Sequence, residues 1–409
     1  MSRSVVLGAL LLVAVACGPG PDEVGNRPPA IAADSTARSR ADSQPIDPGP
    51  TQPRPTVTAA DTGATSTEPP PELRRFTMAF TGDFLLHNRV NATAAAHGAS
   101  RSGRDYDYRP LLGRITPWLR GADWAICHLE VNLSADNARL APYPVFRAPG
   151  QIAFDARAVG YDSCSVASNH ILDHGADGVA ETLGVLDAAG LASTGAARSA
   201  DEAAEQVWLD VGGVRVAHLS YTYGLNGLVV PGETPWLTNV IDEHRILEDA
   251  TSARDAGAEF VVLSLHWGEQ YTHELNRQQR DLGPRLLGSP AIDLIVGHHA
   301  HVVQPIDLVD GEWLVYGMGN LLADYAHAVR RDELLVVATV TERSTGAFAT
   351  ALRAVPLHVD HDTLAVYPSN PADRDPVVSR SLSAELDASW ARVRSVLERG
   401  TGWDRLTIG

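Results

Sequence analysis

The chain has 409 residues, of which 44% are hydrophobic and 20% are charged, enough for one large globular domain or two smaller ones. Its formal net charge is −17, and all 33 of its basic residues are arginines. This acidic balance argues against a nucleic-acid partner, because binding a phosphate backbone needs clustered positive charge.

The N-terminus predicts export. An uninterrupted apolar run, VVLGALLLVAVAC, covers residues 5–17. It is shorter than the roughly 20 residues that span a bilayer, but it suits the apolar part of a signal peptide. Its end, AVAC, resembles a bacterial lipobox, in which Cys17 is lipidated, and AVA also fits the A-x-A site of ordinary signal peptidase. We expect a signal peptide over residues 1–17 and a protein at the cell membrane or envelope, with a lipid anchor as the favoured alternative.

Residues 18–72 predict a disordered tether. Pro, Gly, Ser, Thr, Ala and Asp dominate this segment, and its apolar residues follow no helical or strand period. Such a composition buries too little apolar surface to offset the entropy lost on ordering. A tether after a lipid anchor would hold the folded domain away from the membrane surface.

The folded part predicts an α/β architecture with central sheets flanked by helices. Short apolar strands are expected at 75–83, 122–130, 161–170, 214–222, 259–268, 292–301 and 313–320. Helical patterns at 178–190 and 278–288 alternate with them, which is typical of α/β proteins. We expect the main domain over 73–325. Residues 326–409 would complete the same domain with two neighbouring antiparallel strands, 333–343 and 345–359, and a helix at 381–400.

Most of these strands end in a residue that can bind a metal or transfer a proton. The ends carry Asp83, Glu130, Asn169, His170, His266, His299 and His301. Each has an ordinary explanation when taken alone: a turn or cap for Asp83, a loop for Glu130, a core position for His266. Sites form at the carboxyl ends of strands in such sheets, however, so polar residues at these five strand ends, with Asn320 at a sixth, predict one shared site.

The residue types predict a divalent-metal site. His299 and His301 are two residues apart, so on an extended segment they would project to the same side. Neutral imidazoles bind ions such as Zn, Mn or Fe. Carboxylate, amide and imidazole groups can together hold two adjacent ions, with a bridging carboxylate such as Glu130. The expected ligands are Asp83, Glu130, Asn169, His266, His299 and His301.

His170 is not needed as a ligand and could protonate a leaving group. Asp173 follows three positions later and could orient the His170 ring through a hydrogen bond. These two residues are therefore the predicted catalytic pair.

Cys127 and Cys164 both lie in apolar stretches that predict core strands. In an exported protein they could form a disulfide. We expect buried free thiols instead.

Six segments in chain order resemble the bacterial capsule synthesis protein CapA family, which is associated with poly-γ-glutamate: FTGD, HLE, ASNHILDHG, SLHWGEQY, GHHAHVVQP and YGMGN. That family resembles the calcineurin-like metallophosphoesterases in fold, and the resemblance covers about residues 76–325. It implies metal ligation by the residues given above, with Glu130 as the bridging carboxylate. Asn169 and His170 match the Asn-His pair of the phosphoesterases, and Asn320 matches a Gly-Asn near the site.

Three positions depart from the pattern that the resemblance implies. Leu85 stands where phosphoesterases have a histidine, His128 where CapA relatives usually have asparagine, and Gln270 where they often have glutamate. Leu85 would leave one metal ion short of a ligand unless His87 or another group replaces it. His298 and Trp267, adjacent to expected ligands, are predicted supporting residues.

The resemblance implies a role in making, modifying or retaining a capsule-type surface polymer, alongside membrane components of capsule synthesis. The predicted activity is metal-dependent hydrolysis of a phosphoester or a γ-glutamyl amide. Two alternatives remain: a non-catalytic accessory that holds polymer for export, and an extracellular phosphatase or nucleotidase. Because both the polymer and the chain are acidic, binding would need a local metal ion or an arginine such as Arg147.

Overall fold

The computed structural model describes residues 73–205, 207–374 and 377–409. The predicted signal peptide at 1–17 and tether at 18–72 lie outside these residues. Within the described ranges, every helix is too short or too polar to cross a membrane.

The strands are β1 (Arg75–Phe84), β2 (Trp124–Leu129), β3 (Asn132–Ser134), β4 (Arg147–Pro149), β5 (Ser163–Ser165), β6 (Ala192–Thr194), β7 (Trp208–Val211), β8 (Val214–Thr222), β9 (Phe260–His266), β10 (Leu294–His298), β11 (Ile306–Val309), β12 (Glu312–Val315), β13 (Asn320–Leu322), β14 (Asp332–Glu342), β15 (Phe348–Val359), β16 (Val366–Pro368) and β17 (Thr407–Ile408). The helices are α1 (Asn88–His97), α2 (Arg109–Leu112), α3 (Thr116–Gly121), α4 (Gln151–Val159), α5 (Gly175–Ala189), α6 (Ala200–Ala204), α7 (Glu243–Asp255), α8 (Arg277–Leu287) and α9 (Arg380–Leu397). The predicted α/β class, with central sheets flanked by helices, is confirmed.

Two large sheets form the centre of the described part. The first has the order β16-β15-β14-β1-β2-β5-β6, with β13 also paired to β1 and β17 to β15. The second has the order β11-β12-β10-β9-β8-β7. Strand β14 runs antiparallel to β1, so the C-terminal strands belong to the sheet that β1 begins. Strands β8, β9, β10 and β12 pair in parallel, and β9 is buried along its whole length, as expected for a parallel strand covered on both faces.

Apolar side chains from both sheets pack against each other to form a shared core. Phe76 of the first sheet and Phe260 of the second meet edge to face, with ring centroids 5.8 Å apart. A second cluster packs the outer face of the first sheet against α1–α5, and a third packs the second sheet against α7 and α8. The layers are therefore helix, sheet, sheet and helix, and burial of these faces supplies the main driving force for folding.

The segment predicted as one strand at 313–320 is two strands in different sheets. It forms β12, which pairs with β10, and β13, which pairs with β1. Gly319 lies between them with a φ of 81°, in the left-handed region that favours glycine, and its carbonyl oxygen accepts a hydrogen bond from the Asp83 amide at 2.9 Å. The chain thus crosses between the sheets beside the predicted site. The strand predicted at 161–170 is also shorter, since only Ser163–Ser165 pairs.

Cys127 and Cys164 form a disulfide, so the expectation of free thiols is wrong. The two residues are register partners on the adjacent parallel strands β2 and β5, with Cα atoms 4.4 Å apart. That separation lies in the range that a disulfide spans. The pairing depends on the alignment of two strands, which the local sequence of neither cysteine reveals.

Candidate metal centre

The carboxyl ends of four parallel strands, β1 and β2 of one sheet and β9 and β10 of the other, converge at one place. The side chains that meet there are at most 3% exposed: Asp83, His128, Glu130, His266, His298, His299 and His301. Asp83 and His298, which are 215 positions apart in the chain, are joined by a 3.0 Å contact between Oδ1 and Nδ1. The topology therefore brings together ligands that are distant in sequence.

Asp83 is the charged centre of this cluster. Its Oδ2 accepts a hydrogen bond from the His299 amide at 3.1 Å and lies 3.2 Å from Nδ1 of His301. Burial opposes ionisation of this carboxyl group, but the hydrogen bond with His298 and the close contact with His301 outweigh it and hold its pKa well below the ordinary value. Asp83 is therefore a carboxylate at neutral pH.

Glu130 follows β2, is fully buried, and has no hydrogen-bond partner for either carboxyl oxygen among the described residues. Its Oε1 lies 3.6 Å from Nε2 of His301 and 3.8 Å from Nε2 of His266. Burial, together with the charges of Asp83 and Asp173, raises the pKa of Glu130 well above its ordinary value. A buried carboxyl group without partners is costly unless a ligand supplies them, and a divalent cation fits that requirement.

Three of these histidines, His128, His266 and His299, present neutral imidazoles. Burial, followed by the charge of His301, lowers the pKa of His299 to about 3, and burial with neighbouring imidazoles lowers those of His128 and His266 well below the ordinary value. Nδ1 of His299 and Nδ1 of His301 have no hydrogen-bond partner among the described residues. Neutral imidazoles with free lone pairs are the form that binds metals.

Three groups of ligand atoms, each within 4.8 Å of one another, can hold a cation: Asp83 with His128 and His298, Glu130 with His266 and His299, and Asp83 with Glu130 and His301. The donors are carboxylate oxygens and imidazole nitrogens, which suit a divalent transition metal. The residues present therefore fit a metal centre. Asn169, the other predicted ligand, lies beside them, with its Oδ1 2.9 Å from Nε2 of His266.

His299 and His301 lie close together, but their backbone conformation differs from the predicted extended segment. Strand β10 ends at His298, and the two histidines have φ values of 87° and 54°, so the segment is not extended. Their ring centroids are 5.8 Å apart. A left-handed backbone at non-glycine residues is strained, and such strain is concentrated at functional sites.

His170 and Asp173 lie in contact, with Nδ1 of His170 2.8 Å from Oδ2 of Asp173. The same oxygen accepts a hydrogen bond from the Phe146 amide at 2.7 Å, which holds the carboxylate in place. The Phe146 ring packs edge-on against the His170 ring, with centroids 4.9 Å apart. Donation from Nδ1 to Asp173 leaves Nε2 of His170 to take up or release a proton.

Residues 77–325 match the family model described as bacterial capsule synthesis protein PGA_cap. The chain belongs to this family. It is 30% identical over 311 residues to the PGA biosynthesis protein CapA of Bacillus subtilis, covering 75% of this chain and 76% of that protein. It is 27% identical over 296 residues to the capsule biosynthesis protein CapA of Bacillus anthracis, covering 70% and 68%. A solved structure similar to the chain is the calcineurin-like phosphoesterase YfkN of Bacillus subtilis, with 14% identity, a TM-score of 0.44, and coverage of 79% of this chain and 100% of the other.

His128, a departure from the pattern of the CapA relatives, lies inside the candidate metal centre. Its ring stacks on that of His298, with centroids 4.0 Å apart, and its Nε2 lies 2.9 Å from Nδ1 of His266. A local signal existed, because His128 is two positions before Glu130 and so projects to the same side of the strand. His87, proposed as the replacement for a missing ligand, belongs to none of the three groups, and its Nδ1 accepts a hydrogen bond from the Asp324 amide at 3.1 Å.

The remaining supporting residues have different positions. Trp267 is buried in the core beneath α8 and donates to the Tyr316 carbonyl at 3.1 Å, so it supports the sheet and does not line the site. Asn320 lies at the site and donates from Nδ2 to the carbonyl oxygens of His301 at 3.0 Å and Arg330 at 3.1 Å.

Residues from distant loops also surround the metal centre, and the sequence carried no signal for them. The Tyr223 ring lies 4.4 Å from the His299 ring, and Tyr325 and Tyr271 flank His301 at 6.1 and 5.7 Å between centroids. Asn226 accepts a hydrogen bond from Nδ2 of Asn169 at 3.1 Å. The candidate ligands are therefore bordered by aromatic side chains.

Proposed function

We propose that the chain is a divalent-metal-dependent hydrolase of the cell envelope that acts on a γ-glutamyl surface polymer. One observation carries the proposal: the two oxygens of Glu130 are fully buried without a hydrogen-bond partner among the described residues, with imidazole nitrogens less than 4 Å away. Family membership supports the polymer, since relatives bear the names PGA biosynthesis protein and capsule biosynthesis protein.

The ligand groups favour two adjacent ions, of Mn, Zn or Fe. Asp83, His128 and His298 would hold one, and Glu130, His266 and His299 the other. The third group, of Asp83, Glu130 and His301, has Asp83 in common with the first and Glu130 in common with the second. Divalent ions at this position supply positive charge that stabilises negative charge developing on a substrate oxygen.

The residues of the chain would position the substrate and move a proton. Water would add to the γ-carbonyl carbon as the C–N bond breaks, and His170, oriented by Asp173 at 2.8 Å, would protonate the leaving amine from Nε2. The proton released by that water would restore His170. The rings of Tyr223, Tyr271 and Tyr325 would limit water access around His299 and His301.

The proposed location is the outer face of a membrane. The apolar run at 5–17 would direct export, and lipidation at Cys17 would anchor the protein through the segment 18–72. In this position the metal centre would meet the polymer as membrane components of capsule synthesis release it.

The test uses the full-length protein purified without chelator. We expect stoichiometric divalent metal by elemental analysis and cleavage of a γ-glutamyl oligomer, measured as released amine. His299→Ala should lose both, whereas His244→Ala, at a side chain that is 83% exposed, should lose neither. A metal-free parent would contradict the hydrolase. A parent that binds metal but cleaves only an aryl phosphodiester would favour the phosphatase alternative, and one that binds polymer without cleaving it would favour the accessory.

A further inference from the structure

Arg330 lies at the edge of the metal centre with its charge uncompensated. It ends the short helical turn Ala328–Arg330, and its Cζ atom lies 3.7 Å from the ring centroid of Tyr271 and 5.6 Å from that of Tyr325. Across residues 73–205, 207–374 and 377–409, no carboxylate forms an ion pair with its guanidinium. The group is held against aromatic faces and retains its N–H donors.

Other arginines, unlike Arg330, form ion pairs with carboxylates. Arg331 pairs with Glu385 at 3.4 Å, and Arg89 pairs with Asp324 at 2.8 Å. Arg147, named from the sequence as a possible polymer ligand, is buried and pairs with Glu181 at 2.6 Å, so that expectation is wrong. In a chain with a net charge of −17, an unpaired guanidinium beside the site is well suited to bind an anion.

Arg330 is connected to the metal centre in two ways: through the rings of Tyr271 and Tyr325, and through the side chain of Asn320. The Tyr271 and Tyr325 rings that contact the guanidinium also flank the His301 ring, so Arg330 is one aromatic ring away from a metal ligand. The side-chain amide of Asn320 donates to the carbonyl oxygens of both His301 and Arg330. The position of Arg330 relative to the centre is therefore determined by packing and by hydrogen bonds.

We infer that Arg330 binds a free α-carboxylate of the polymer next to the γ-amide bond held at the metal centre. The inference rests on the proposed function. A γ-linked glutamate chain leaves one α-carboxylate on every residue, a few bonds from each amide. A guanidinium stacked on a ring by its face keeps its edges free for a bidentate carboxylate. Arg330 thus acts as a specificity-determining residue that selects chains with free α-carboxylates.

The test measures binding of two oligomers to the metal-loaded full-length protein by calorimetry. One is a γ-glutamyl oligomer with free α-carboxylates, and the other is the same backbone with α-carboxamides. We expect Arg330→Met to weaken binding of the charged oligomer by about 10- to 100-fold, the range for losing a hydrogen bond to a charged group, and to leave binding of the neutral oligomer unchanged. Arg330→Lys should recover part of the loss, since it restores charge without the planar fork.

The matched control is Arg215→Met. The Cζ atom of Arg215 also lies over an aromatic ring, 5.7 Å from the ring centroid of Trp208. Arg215 is near the start of β8, whereas the end of β8 pairs with His266 at the metal centre. It should bind both oligomers like the parent. Equal affinity of Arg330→Met and the parent for the charged oligomer would overturn the inference, as would equal losses for both oligomers or no binding of the charged oligomer by the parent. A parent that binds the charged oligomer without cleaving it contradicts only the hydrolase, and the comparison of variants then decides the role of Arg330.

Discussion

Two clusters of buried acids and histidines differ in how their polar atoms are paired: one lies on β14 and β15 of the first sheet, and the other lies where the two sheets meet. In the cluster on β14 and β15, Asp332 accepts hydrogen bonds from Arg392 at 2.5 and 2.8 Å and lies 2.7 Å from Nδ1 of His358. Nε2 of His358 lies 3.2 Å from Arg331. Every polar side-chain atom of Asp332 and His358 therefore has a partner within the chain.

The candidate metal centre shows the opposite arrangement. Both oxygens of Glu130 and one nitrogen each of His299 and His301 have no hydrogen-bond partner among the described residues. Arg392 neutralises Asp332 in the first cluster, whereas burial keeps His128, His266 and His299 neutral in the second. The paired side chains are satisfied within the chain, whereas the unpaired carboxyl and imidazole atoms remain able to bind a cation. The same residue types therefore form an ion network satisfied within the chain in one place and a candidate metal site in the other.

The largest expected effect is that of Glu130→Leu. We expect the affinity for the metal to fall by at least about 100-fold and turnover to be lost, because the substitution removes a proposed metal ligand. The free energy of unfolding of the metal-free protein should stay equal or rise, since an unpaired buried carboxyl group is replaced by an apolar one. Elemental analysis and denaturant unfolding in chelator measure both quantities, and a strongly destabilised variant would contradict the comparison.

The matched change in the other cluster is Asp332→Leu. It should lower the free energy of unfolding by about 3–5 kcal/mol, because His358 and Arg392 lose their buried partner. Metal content should stay stoichiometric. If this variant instead lost metal and kept its stability, the assignment of the two clusters would be reversed.

Asp173→Asn should reduce turnover by about 10- to 100-fold, since the His170 ring loses the carboxylate that orients it. Steady-state rates on a γ-glutamyl oligomer measure the effect. Metal content should match that of the parent, and turnover equal to the parent would exclude His170 and Asp173 as a catalytic pair.

The smallest effect concerns pH. Burial lowers the folded-state pKa of His218 to about 3, whereas an unfolded histidine has a pKa of about 6.5. Between these values the unfolded chain binds one more proton at this residue, so His218 alone should lower the free energy of unfolding by about 1.4 kcal/mol per pH unit as pH decreases below 6.5. Chelator-treated His218→Gln should show a shallower decline between pH 6 and 4, and His244→Gln should not. An identical slope in His218→Gln and the parent would contradict this assignment.

Much of the site could be predicted from the sequence, because apolar runs ending in Asp83, Glu130, His266 and His298 indicate parallel strands whose carboxyl ends meet. Other features were not predictable. Glu333 is one example: it is buried next to the site in β14, where burial and the charge of Asp83 raise its pKa well above the ordinary value. Its sequence context is that of an ordinary strand residue.

The sequence by itself determined the residue types at the strand ends, since strand periodicity and local polarity depend on neighbours within a few positions. Only the tertiary structure decided which polar atoms are paired. Asp83 and His298 are 215 positions apart, and Cys127 meets Cys164 only through strand register. The difference between the Glu130 and Asp332 clusters likewise depends on which groups lie within hydrogen-bond distance in space, and local sequence does not encode that distance.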